Sequence, residues 1–199
     1  MGTRSILWFR RDLRISDHPA LVAALSESDE IVPVFIIDSK LKERTGAKGL
    51  AYLAQSLHHL DDSLDNKLQV INGEPIEVLK KLQKKYDAQA VHISAEYEPF
   101  CAARDTEIES SGIKLVRTGS AYAIAPGRVL KPSDQTPYRV YTPFYRGWLA
   151  HGWRKPEQKP KSIAAVTPDS DSRQFPDWKV PTGVSITEAG EAAANERFK

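Results

Sequence analysis

The chain has 199 residues, 41% of them hydrophobic and 27% charged, enough to bury one ordinary core with some chain left over. Its 28 Lys and Arg against 26 Asp and Glu leave a formal net charge of +2, too mild to imply a nucleic-acid-binding surface by itself. Cys101 is the only cysteine, which excludes a disulfide framework and a structural zinc set, and no long apolar run separates Arg4 from Arg10, so the reading is of a cytoplasmic chain without membrane contact.

The first two thirds alternate short apolar runs with helical patterns, the signature of strands joined by crossover helices. A first strand runs from Arg4 to Phe9. "SDHPALVAAL" then predicts a helix capped by Ser16 or Asp17, with Pro19 in its first turn and His18 exposed. "EIVPVFIID" is apolar at almost every position, as a strand covered on both faces should be, and Pro33 is expected to be tolerated near its beginning. Leu50, Leu53, Leu57, Leu60 and Leu64 mark a second helix. "KLQVI" is a third strand and Ile76, Leu79, Leu82 and Tyr86 a third helix behind Pro75. "QAVHIS" is strand four, Pro99 to Ser111 helix four, and "IKLVRT" strand five. The fold class is therefore a doubly wound α/β sheet, with residues 1–118 as its domain.

From Gly119 the pattern changes: nine of the thirteen prolines lie between Pro126 and Pro181, so residues 119–183 read as a Pro-rich linker. One island of order remains near residues 143–151. In "YTPFYRGWLAHGW", Thr142 can cap a helix with Pro143 first, Phe144 and Trp148 share a face, and Gly152 can end it. Gly147 in its middle costs roughly 1 kcal/mol relative to alanine, so packing must hold the helix, and the segment is expected to clamp the linker onto the sheet. Thr187 to Lys199 looks like the first turns of a further helix, and residues 184–199 are read as the start of a neighbouring domain.

In an open parallel sheet the ligand crevice lies beyond the carboxyl ends of the strands. Strand one ends in "WFRRDLR", strand two in "IIDSK" and strand four in "SAEYEPF", so Arg10, Arg11, Asp12, Asp38, Glu96 and Glu98 would face one cleft. No G-x-G-x-x-G turn, phosphate loop, metal spacing of His18, His58, His59, His92 and His151, or G-x-S-x-G elbow is present, so no catalytic or metal-binding residue is assigned.

"WFRRDLRISDHPAL", "PVFIID", "EYEPFCAARD" and "YRVYTPFYRGW", in this order from about residue 4 to residue 155, together resemble the amino-terminal domain of the DNA photolyase and cryptochrome family. The resemblance implies a Rossmann-like sheet in strand order 3-2-1-4-5, helices on both faces, carrying a light-harvesting antenna. It is most like a bacterial cyclobutane pyrimidine dimer photolyase. It implies a carboxyl-terminal helical domain as partner, holding FAD and contacting DNA, and without that domain these residues are expected to be inactive in repair. Two alternatives stay open: a cryptochrome-like photosensor, and a freestanding nucleotide-binding module.

Family members that hold methenyltetrahydrofolate carry an Asn-Glu pair just after the segment matching "EYEP"; here those positions are Phe100 and Cys101. Members that hold 8-hydroxy-5-deazaflavin carry carboxylates matching Glu96 and Glu98, so that deazaflavin or FMN is preferred to the folate. A planar ring would slide between walls from Phe35, Ile36 and Ile37, with Glu96 and Glu98 accepting hydrogen bonds and Arg10, Arg11 or Lys48 favouring a deprotonated ring hydroxyl. The rival reading makes Arg10, Arg11, Asp12 and Arg14 a salt-bridge network, Cys101 a small buried residue, and Trp8, Trp148, Trp153 and Trp178 packing residues.

Overall fold

The computed structural model describes residues 2–199. Five strands, β1 (Arg4–Phe9), β2 (Glu30–Ile37), β3 (Gln69–Asn72), β4 (Ala88–Ala95) and β5 (Leu115–Ser120), form one sheet in the order β3-β2-β1-β4-β5. All four neighbouring pairs are parallel, as the crossover pattern requires. The connecting helices are α1 (Pro19–Glu27), α2 (Ser39–Arg44), α3 (Ala47–Ser63), α4 (Pro75–Tyr86) and α5 (Pro99–Ser110); α6 (Tyr141–His151) and α7 (Glu191–Phe198) follow β5.

Side-chain alternation splits the core into two layers. Ile6, Trp8, Val34 and Ile36 pack with Val78, Leu79 and Leu82 of α4 and Ile108 of α5, whereas Leu7, Phe9, Phe35 and Ile37 pack with Leu21 of α1 and Leu57 and Leu60 of α3. Pro75 and Pro99 occupy the first turns of α4 and α5, where a missing N–H costs nothing.

Several local readings are corrected. The cap of α1 is His18, whose Nδ1 accepts the Leu21 amide at 3.0 Å; Ser16 and Asp17 lie ahead of it, and His18 is 1% exposed. Helix α2 was not anticipated, because six residues are too few for a periodic stripe, although Asp38 caps it on the Leu41 amide. Helix α6 begins at Tyr141, with Val140 as its cap position, and α7 begins at Glu191. The expected clamp at Thr142 to Trp148 is not there: α6 has no buried residue.

The chain 163–175 holds the sheet edge instead. The Ile31 amide donates to Ala164 and Ile31 accepts from Val166, while the Gln174 amide donates to Val70 of β3. Alternate residues of a strand direct their amides to the same side, so Pro33 faces the gap between this added segment and the start of β3, where no donor is needed. Arg173 seals the edge with two contacts to the buried Asp61 carboxylate, at 2.6 and 3.1 Å, and one to the Asn66 carbonyl. Arg173→Ala is expected to cost about 1–2 kcal/mol, since Asp61 keeps only its Leu68 amide donor. It should also speed proteolytic nicking between residues 163 and 175; unchanged cleavage and stability would show the segment is held by its backbone bonds alone.

Candidate functional site

Crossovers leave the sheet in opposite directions on either side of the β1–β4 pair, which opens a crevice at the carboxyl ends of these strands. A cleft of about 260 Å³ occupies it. Its floor comes from Trp8, Phe9, Phe35 and Ile36; α2 and the residue after it contribute Leu41, Arg44 and Thr45, and α5 contributes Phe100, Cys101 and Arg104. Arg10, Arg11, Asp38, Glu96 and Glu98 also line it. A second cavity of about 430 Å³ continues past Phe100, sharing Asp38, Lys40, Phe100 and Arg104 and adding Glu74, Ile76 and Glu107.

Of the site residues expected from sequence, Arg10, Arg11, Phe35, Ile36, Asp38, Glu96 and Glu98 are therefore brought together. Asp12, Ile37 and Lys48 do not line the cleft. Asp12 turns beneath it, where its side chain is 5% exposed and lies 3.0 Å from His18 Nε2. Ile37 alternates into the layer shared with α1 and α3, and Lys48 is exposed on the first turn of α3.

The strand-end charges form one ion-pair network. Arg10, with a side chain 6% exposed, donates to Asp105 at 2.8 Å, lies 3.3 Å from Glu96, and also bonds the Ser94 carbonyl. Arg104 reaches the same two carboxylates at 2.8 and 3.0 Å. Arg11 grips Glu98 through two nitrogens, at 2.6 and 3.0 Å. Burial pulls the Arg10 guanidinium down from its usual range, opposed by Glu96 and Asp105; burial also works against Arg104, but its bonds to Glu96 and Asp105 outweigh this and raise it. Glu96, Glu98 and Asp105 thus balance Arg10, Arg11 and Arg104, and the cations left to face a ligand are Lys40 and Arg44, beside Asp38.

Sequence reasoning missed two aromatic–cation pairings. Trp8 is a packing residue, but the guanidiniums of Arg10 and Arg104 also lie over its ring, 5.1 and 4.9 Å from the centroid. Phe100 faces Arg44 at 4.4 Å and Lys40 at 5.7 Å. Arg104 was detectable, four residues after Phe100 on α5 and hence on the same helical face. Cys101 is buried, and burial followed by the Glu96 charge pushes its thiol up, so it stays neutral. Among the described residues no cluster of His, Cys, Asp and Glu could hold a metal ion, and no helix is long and apolar enough to cross a membrane.

The family model for DNA photolyase matches residues 5–162. A deoxyribodipyrimidine photo-lyase of Streptomyces griseus is 34% identical over 170 residues, covering 80% of this chain and 37% of that protein. Among solved structures, a bacterial class III photolyase from Agrobacterium tumefaciens superimposes with a TM-score of 0.82 at 28% identity, covering 99% of this chain and 44% of its own. An archaeal photolyase from Sulfolobus tokodaii, described with two FAD molecules and an implied novel light-harvesting cofactor, gives 0.69 at 30% identity, covering 82% and 39%. The chain thus spans less than half the length of these relatives.

Proposed function

This chain belongs to the DNA photolyase family, and from that premise we propose that residues 1–120, with the edge segment 163–175 added to the sheet, form the domain that holds its light-harvesting chromophore, and that the rest of 121–183 is the connection to a flavin- and DNA-binding domain. The sequence-based bounds of 1–118 and 119–183 cut through β5 and leave out that edge segment. The observation that carries this is the cleft at the switch point, with flat apolar walls and a cationic rim. When bound there, an antenna chromophore supplies the absorption of light and its transfer onward; the residues named here bind and orient it.

Phe35, Ile36 and Leu41 would face the ring. Arg44 and Lys40 would meet an anionic group, such as the phosphate of FMN or the deprotonated hydroxyl of 8-hydroxy-5-deazaflavin, while the cavity beyond Phe100 would take the polar chain. Phe100 and the neutral Cys101 offer no amide or carboxylate to a folate, so deazaflavin or FMN is the better fit.

The test is a parallel absorption and fluorescence titration with 8-hydroxy-5-deazaflavin, FMN and methenyltetrahydrofolate. Saturable binding of one of the first two is expected, with Kd weakened about tenfold or more in Phe35→Ala and in Arg44→Ala, the loss of about 1.4 kcal/mol of contact. Glu96 is a poor probe because its removal would leave two largely buried arginines with Asp105 as their one shared carboxylate and disturb the cleft floor. If none of the three binds, the chromophore assignment fails. A chromophore-binding full-length protein that repairs no pyrimidine dimers in blue light would instead be a photosensor.

A further inference from the structure

Helix α2 walls the cleft without being packed into the body. It supplies Leu41 and Arg44, yet none of its residues is buried, and Leu41, its one apolar residue, packs only partly on the core. A helix of six residues does not sustain itself in water and depends on the contacts its ends make.

The two ends are held differently. The near end is pinned, because Asp38 Oδ1 accepts the Leu41 amide at 2.6 Å and Glu74 accepts the Ser39 hydroxyl at 3.4 Å. The far end rests on one ring: the Arg44 guanidinium lies over Phe100 of α5, 4.4 Å from its centroid, with Lys40 at 5.7 Å. After Arg44 the chain is extended through Thr45 and Gly46 into α3, and no atom lies within 4 Å of where a Gly46 Cβ would stand, so packing does not resist a pivot there. Phe100 also stands at a junction, for it lines both the cleft of about 260 Å³ and the cavity of about 430 Å³, together with Asp38, Lys40 and Arg104.

We propose that α2 is a lid on the cleft, pivoting about its Asp38 end with Gly46 as the joint to α3, and latched by Arg44 on Phe100. Swinging the far end away joins the two cavities and admits a flat ligand. An exposed cation–ring contact suits a latch that must release, since its loss raises the open population only about two- to fivefold. A bound ring adds contacts to Leu41 and Arg44 in the closed state alone and so holds the lid shut. That the lid serves a chromophore rests on the function proposed above; that it opens does not, and the two are read separately.

Cys101, the sole cysteine, is buried and lines the α5 wall of the cleft, so its reaction with dithiodipyridine reports opening with no ligand present. The rate is expected to stay nearly flat in urea below about 1 M, because a local opening exposes little surface. Arg44→Ala should raise it about two- to fivefold. Losing a cation from the cleft would by itself disfavour the thiolate and slow the reaction, so acceleration reports opening. Lys42→Ala, which removes an exposed α2 charge away from the latch and the cleft, should leave the rate unchanged. A rate that climbs with urea as steeply as global unfolding, ignores Arg44→Ala, or rises equally in Lys42→Ala overturns the lid. Saturating FMN or 8-hydroxy-5-deazaflavin should slow modification about tenfold or more, and a ring that binds while leaving Cys101 as reactive as before also overturns it. If neither ring binds, the chromophore assignment fails, and the urea and Arg44→Ala results still decide the lid.

Discussion

Replacing Asp105 by alanine is expected to cost the fold about 3 kcal/mol. The Asp105 side chain is 3% exposed and accepts from Arg10 at 2.8 Å and Arg104 at 3.0 Å, with Arg117 at 3.9 Å. Guanidiniums do not discharge in proteins, so removing the carboxylate leaves Arg10 and Arg104 buried with a shortfall of negative charge. Glu96 stays within 3.3 Å of Arg10 and 2.8 Å of Arg104, which sets the expectation at the lower end of the 3–5 kcal/mol range for breaking buried pairs, about 3 kcal/mol. The contrast is Glu109→Ala, which breaks only the half-exposed pair with Arg117 and should cost about 0.5–1 kcal/mol or less. Urea denaturation of the two variants checks this, and a loss for Asp105→Ala no larger than for Glu109→Ala would mean that Glu96 compensates alone. The network lies at the strand ends that build the cleft, so Asp105→Ala should also weaken chromophore binding through misplacement of Arg10 and Trp8.

Legibility in the sequence followed the range of the forces involved. Strands β1 and β2 announce themselves because both of their faces are buried, which forces unbroken apolar runs from Ile6 to Phe9 and from Ile31 to Ile37, and Pro75 and Pro99 mark helix starts through backbone chemistry local to one residue. Seven of the ten expected site residues, among them Arg10, Phe35 and Glu98, reach the cleft because strand ends of a switch point converge whatever follows them. Lys48 failed since its place depended on α2, a helix too short to show a period. Arg104 was passed over because its partners, Glu96 and Asp105, are set by how α5 lies on the sheet, which no local pattern encodes. The α6 clamp was inferred from aromatic spacing, which reports that a face will be covered and not by what; the edge contacts of Ala165 and Arg173 carry no periodic signal.

His18 was misread for the same reason, and its pairing with Asp12 predicts the acid stability of the fold. His18 Nδ1 accepts the Leu21 amide, so in the capping state its proton sits on Nε2, 3.0 Å from the Asp12 carboxylate. Burial opposes ionisation of Asp12, yet its 3.0 Å contact with His18, a bond from Ser94 and the Arg10 amide at 3.0 Å outweigh it and hold the carboxyl well below its usual range. A folded value below the unfolded one of about 3.9 means that the unfolded chain binds the extra proton between the two. The contribution is therefore fully present above about pH 5 and is lost as pH falls through 4 towards the folded value; near neutrality it amounts to about 2–3 kcal/mol. Asp12→Asn should lose about that much at pH 7, because an amide facing His18 Nε2–H either sets donor against donor or surrenders the charge that makes the bond strong. The decisive feature is convergence: the gap between wild type and Asp12→Asn in urea-measured stability should narrow steadily from pH 5 to pH 2.5. A gap that stays constant over that range would show that Asp12 acts through packing and not through its charge.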